Sequence, residues 1–134
     1  MKRKVFILLG IIIVIAGLVA AAIPNWQRAK RKAMRAEVRS NIHTIQVALC
    51  RYGVDHDDSD HFCCEGIFPD EISSLIEEGY IIDFPVNPFT REPMKNIELG
   101  SEPQAGEFTY VPIYGNGAAR GFLLYAYDDE EEWK

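Results

Sequence analysis

The sequence predicts an α+β fold: a long N-terminal helix, apolar in its first half and amphipathic in its second, packed on a small C-terminal antiparallel sheet. Three observations predict it. Val5 to Ile23 is a run of 19 residues without a charge. Beyond Pro24 no glycine or proline interrupts Asn25 to Tyr52, and Val38, Ile42, Ile45, Leu49 and Tyr52 recur at steps of four and three. That spacing places them on one helical face. Nearer the C-terminus, two alternating apolar runs flank Gly115-Asn116-Gly117, the pattern of a hairpin.

The uncharged run is long enough to cross a bilayer. About 20 apolar residues span the hydrocarbon as a helix, because a helix satisfies its own backbone groups where no water can. Met1 to Lys4 form a basic tip before it. The expected organisation is therefore a cytoplasmic tip at residues 1–4, a transmembrane helix at 5–23, an amphipathic continuation at 24–52 and an acidic α+β head at 53–134. Two features pull against this reading. Ala20-Ala21-Ala22 has the small side chains of a signal-peptide cleavage site, although Pro24 lies just beyond it and makes a poor substrate. Six basic residues lie between Arg28 and Arg39, against three before the span. A strict positive-inside count favours a cytoplasmic head.

The helix is expected to kink at Pro24 and to stop at Gly53. From Val5 to Tyr52 it covers about 70 Å at 1.5 Å per residue. The basic run from Arg28 to Arg39 reads as a solvated face at the level of lipid headgroups.

Length and charge exclude several classes of function. A chain of 134 residues fits one domain and is too short for a large two-domain enzyme or a multi-span transporter. Its net charge of −6 conceals a division: residues 1–52 carry +9 and residues 53–134 carry −15. Nucleic acid is not an expected partner, because the basic run lacks stacking aromatics and the acidic remainder repels a polyanion. No GxSxG, HExxH or phosphate-binding loop occurs, so the chain is not expected to be an enzyme.

In the second half, Gly53 to Gly66 is a loop dense in aspartate. Phe68-Pro69 introduces a short helix over DEISSLIEEG (70–79), with Ile72, Leu75 and Ile76 inward and Gly79 at its end. Pro85, Pro88 and Pro93 make PVNPFTREPM an irregular ordered loop. Glu107–Tyr114 and Gly121–Tyr127 are the two strands, with Pro112 marking an edge. The tail DDEEEWK is a solvated run. His43 belongs to the polar side of the long helix.

The loop after Gly53 mixes imidazole, thiolate and carboxylate groups, a donor set suited to zinc or another transition metal. Its spacing matches no standard site, and the EF-hand pattern lacks its glycine and distal glutamate. No metal or cofactor is assigned. The side chains with ligating chemistry are His56, His61, Cys63 and Cys64, and the other reading of the loop is a plain solvated segment or a disulfide. Adjacent Cys63 and Cys64 are badly placed to pair with each other, which leaves Cys50 as the better partner for one of them. Such a bond would close a loop of about 15 residues, worth about 3 kcal/mol in the chain-entropy account.

The order of basic tip, apolar helix, IPNWQRAKRKAMRAEVRSNIHTIQVAL, Tyr52 with Asp55, Phe68-Pro69, a short helix ending in GYI, and PVNPFTREPM resembles the type IV pilin superfamily. The likeness is nearest to the major pseudopilin of type II secretion systems and covers nearly the whole chain. It implies an inner-membrane, single-pass subunit with its head in the periplasm or outside the cell. It also implies polymerisation into a type II secretion or type IV pilus-like filament whose core is the apolar helices. Further copies, other pseudopilins and an inner-membrane assembly platform are the implied partners. Pseudopilins often bind calcium near the C-terminus, but no ligand spacing here carries residues over.

The sequence departs from that family at its tip. The expected peptidase cut falls between Lys2 and Arg3, where neither the glycine nor the phenylalanine is present, and Ile7 stands where the family has an acid. An N-terminus that escapes ordinary prepilin processing is the expectation. Two other classes of function remain open on the residues. One is a single-pass or secreted small acidic domain that binds a metal or partner without forming filaments; the other is a membrane-tethered cytoplasmic adaptor.

Overall fold

The computed structural model describes residues 2–56 and 66–128. The fold is α+β. Helix α1 covers Lys2–Asp55, helix α2 Ser74–Glu77, strand β1 Phe108–Gly115 and strand β2 Ala118–Ala126. The chain divides into two units, Met1–Met34 and Arg35–Lys134.

In the first unit, α1 is helical throughout residues 2–34 and passes through Pro24. Proline has no N–H to give the preceding turn, yet the helix continues on either side. The side chains of residues 10–18 and 23–33 are exposed.

In the second unit, α1 becomes the wall of a core. Val38, Ile45, Leu49 and Tyr52 are buried, Ile42 is half-buried against them, and Ala48 joins them. This is the stripe expected from the spacing of four and three. Gly53 does not stop the helix, which goes on to Asp55. The glycine serves packing instead. A Cβ there would lie 3.0 Å from the Phe68 ring, and a Cβ on Gly66 would run into the Gly53 carbonyl. Two glycines face each other where the chain leaves α1 and returns.

Helix α2 is shorter than expected. Ser74, Leu75 and Ile76 donate to carbonyls three residues back (Glu71, Ile72, Ser73), and only Glu77 and Glu78 reach back four. The first half of DEISSLIEEG is therefore tight turn, and Asp70 and Glu71 stay outside the helix. Ile72 and Leu75 are buried as expected, and Ile76 is half-buried. Gly79 ends the helix at φ +80°, a value that favours glycine.

The sheet is a two-stranded antiparallel hairpin. Asn116 and Gly117 both have positive φ, 54° and 84°. A two-residue turn with both φ positive matches the right-handed twist of the strands it joins. Pairing runs from Gly115↔Ala118 to Phe108↔Ala126, with a shift between Ile113 and Tyr114 that leaves Arg120 as the extra residue. Each strand begins or ends within a few residues of its expected limits. Phe108 and Tyr110 are buried against the helix with Phe122 and Leu124 beside them. The opposite face carries Val111, Ile113, Leu123 and Tyr125, the last three 44–47% exposed.

Candidate membrane and assembly surfaces

The first surface is the apolar part of α1. Residues 11–15 (Ile-Ile-Ile-Val-Ile) are each more than half exposed, and so are Leu18, Ile23 and Trp26. The helix is long and apolar enough to cross a membrane by length and composition. Exposure of this many branched aliphatic side chains in water opposes folding by about 25 cal/mol per Å² of apolar surface. A lipid interior or neighbouring helices remove that cost.

Next along the helix comes a basic collar. Arg28, Lys30, Arg31 and Lys32 are exposed, and the Lys30 ammonium lies 6.0 Å from the centre of the Trp26 ring. Side chains on a helix lean toward its N-terminus, so a lysine four residues beyond a tryptophan reaches back over it.

A third cluster closes the C-terminal end of α1. The Tyr52 and His56 rings stack with centroids 3.9 Å apart and planes 7° from parallel. His56 Nδ1 lies 2.9 Å from the Tyr52 carbonyl and Nε2 lies 3.0 Å from Glu78 Oε2. Tyr80 donates its hydroxyl to Asp55 Oδ2 at 2.9 Å. Burial, then the hydrogen bond to Asp55, pushes the Tyr80 phenol up to about 12. Burial, followed by Glu78, also raises Tyr52. These contacts tie α1 to the segment after α2. They engage His56 structurally, and the remaining residues with ligating chemistry, His61, Cys63 and Cys64, lie outside the described residues. Among the described residues no group of three or more His, Cys, Asp or Glu is arranged to hold a metal ion. Cys50 sits half-buried on α1, and its partner in the expected disulfide likewise lies outside the described residues.

The Asn-Pro-Phe loop is held from several sides. Asn87 is buried; its Nδ2 donates to the Ala105 carbonyl at 2.9 Å and its Oδ1 accepts the Phe89 N–H at 2.9 Å. Its backbone N–H donates to Glu92 and its carbonyl accepts from Arg91. Asn41 on α1 donates to the Val86 carbonyl at 2.8 Å. Gly106, at φ +83°, lies where any Cβ would overlap the Asn87 side chain. Sequence reasoning reached this loop as an irregular segment and missed its hub. An asparagine before a proline is a turn-initiating signal that points to it.

The sheet is anchored at two more points. Tyr110 donates to the Pro69 carbonyl at 2.6 Å, and burial raises its phenol. Tyr114 is raised chiefly by its hydrogen bond to Asp70. On the outward side of α1, His43, Val47, Cys50 and Val54 form a second stripe lining a shallow groove with Gln46 and Arg51. His43 is exposed, as expected.

The chain matches no family model, no curated protein and no solved structure.

Proposed function

We propose that this chain is a membrane-anchored, pilin-like subunit that polymerises into a type II secretion or type IV pilus-like filament. The observation that carries the reading is the division of labour along α1. Its first unit exposes an apolar helix that nothing in the chain covers among the described residues. Its second unit uses the same helix as the wall of a small sheet-bearing core. A soluble domain has no use for the first part, whereas a subunit held in lipid and then in a helical bundle uses both.

Two further features support it. The loop that carries the resemblance, Val86 to Met94, is fastened to α1 through Asn41 and to the hairpin side through Asn87, so the motif has a structural role in the head. The outward stripe His43, Val47, Cys50, Val54 gives the helix a face for a neighbouring copy. In this reading the tip faces the cytoplasm and the head lies across the inner membrane. Other pilin-like subunits and an inner-membrane platform are its partners, and the chain performs no chemistry of its own.

The test is immunogold electron microscopy of material sheared from cells that carry the chain with its assembly system. Gold along filaments, lost when residues 5–23 are replaced by an unrelated transmembrane segment, is the expected result. Gold confined to membrane fragments would refute the proposal.

A further inference from the structure

The uncharged run of α1 ends at Ile23, and the residues beyond it are ordered by depth. Trp26 lies about 4.5 Å further along the axis at 1.5 Å per residue. The headgroup layer on each side of the hydrocarbon is about 5–8 Å thick, and an indole prefers that layer, where its ring is apolar and its N–H is wet. Trp26 is 69% exposed, so its ring is available to lipid. Arg28, Lys30, Arg31 and Lys32 lie about 7.5 to 13.5 Å beyond Ile23, and all four are exposed.

Direction matters as much as position. The membrane lies on the N-terminal side of these residues, and helical side chains lean toward the N-terminus. Each long basic side chain therefore inclines toward the headgroups. Lys30 does so visibly, with its ammonium over the Trp26 ring. Glu37, the one carboxylate within residues 1–52, lies five residues past Lys32. Four cations at headgroup level with no carboxylate among them present a positive ring to phosphate oxygens.

We propose that residues 26–32 form a docking site for anionic phospholipid headgroups. Trp26 fixes the depth, and Arg28, Lys30, Arg31 and Lys32 take the phosphates. The proposal rests on membrane insertion of α1 and does not depend on filament formation. The acidic second unit of another copy is the rival occupant. The observations favour lipid because the depth of Trp26 and the inclination of the basic side chains are both explained by a bilayer and not by a protein neighbour.

The test reconstitutes the full chain in phosphatidylcholine vesicles carrying a trace of spin-labelled phosphatidylglycerol or spin-labelled phosphatidylcholine. The fraction of motionally restricted label gives the relative association of the two lipids. The expected result is a preference of about twofold or more for phosphatidylglycerol, reduced toward one in molar salt, where the Debye length is about 3 Å. A variant with Arg28, Lys30, Arg31 and Lys32 replaced by Gln loses most of the preference. A variant with Lys2, Arg3 and Lys4 replaced by Gln keeps most of it. Inorganic phosphate at matched ionic strength does not compete, which separates a lipid site from a free-phosphate site. Equal association of the two lipids, a preference unchanged in the collar variant, competition by phosphate, or a collar variant that alters only self-association each overturns the proposal. Absence of any restricted lipid would instead remove the insertion on which it rests.

Discussion

Asn87 spends both ends of its side-chain amide inside the protein, on the Ala105 carbonyl and the Phe89 N–H. Asn87→Ala leaves that carbonyl and that N–H without their partner, and a lost buried hydrogen bond costs about 1–3 kcal/mol per orphaned group. Urea unfolding of the full chain in detergent should show a midpoint lowered accordingly. Gly106→Ala should act on the same contact from the other side, because its left-handed φ and the adjacent Asn87 leave no room for a Cβ. Tyr80 gives a pH prediction. Folding holds its proton up to about 12, against about 10 for an unperturbed phenol. The folded state therefore binds more protons across that window. The stabilisation is complete below about pH 10 and is lost as pH rises through the folded value. Tyrosinate absorbance should show one group titrating late in the native protein and missing from Tyr80→Phe. The disulfide expectation also belongs here. Gly66, two residues past Cys64, lies against Gly53, less than one helical turn beyond Cys50. Mass mapping of unreduced protein should find Cys50 joined to Cys63 or Cys64, and three alkylatable thiols would refute the pairing.

The elements differ in how much of them the sequence discloses. The α1 stripe was legible because burial on one side of a helix imposes a spacing of three and four, and nothing else produces that pattern over Val38 to Tyr52. The hairpin was legible for a similar reason, since alternation and a Gly-Asn-Gly turn are local signals. The end of α1 was not. Gly53 carries the composition of a stop, but its role is set by Phe68 and Gly66, partners 15 and 13 positions away. The length of α2 was overestimated because turns closed by three-residue hydrogen bonds share the apolar spacing of a helix. The Asn41–Val86 and Tyr80–Asp55 bonds join residues far apart in the chain and leave no periodic trace. A test at this scale compares the two stripes of α1. Ile45→Ala or Leu49→Ala removes a fully buried side chain and should cost about 2–5 kcal/mol. Val47→Ala, on the outward stripe and 45% exposed, should stay within about 0.5 kcal/mol. Equal losses from both stripes would mean that the outward face is packed as well.

For the whole molecule, the charge division and the division of α1 run together. The +9 of residues 1–52 accompanies an exposed apolar helix, and the −15 of residues 53–134 accompanies a small core. An acidic surface keeps such a unit soluble beside a membrane, while the basic collar matches the sign of anionic headgroups. The central claim is that the apolar half of α1, after serving as an anchor, packs against the same half of other copies. The most direct measurement places a photo-crosslinking amino acid at Ile15, an exposed position in that half, and irradiates cells that carry the assembly system. The account predicts a ladder of covalent dimers, trimers and higher oligomers of this chain, absent when the crosslinker replaces a residue in the buried core. Crosslinks to lipid alone, with the chain remaining monomeric, would contradict it.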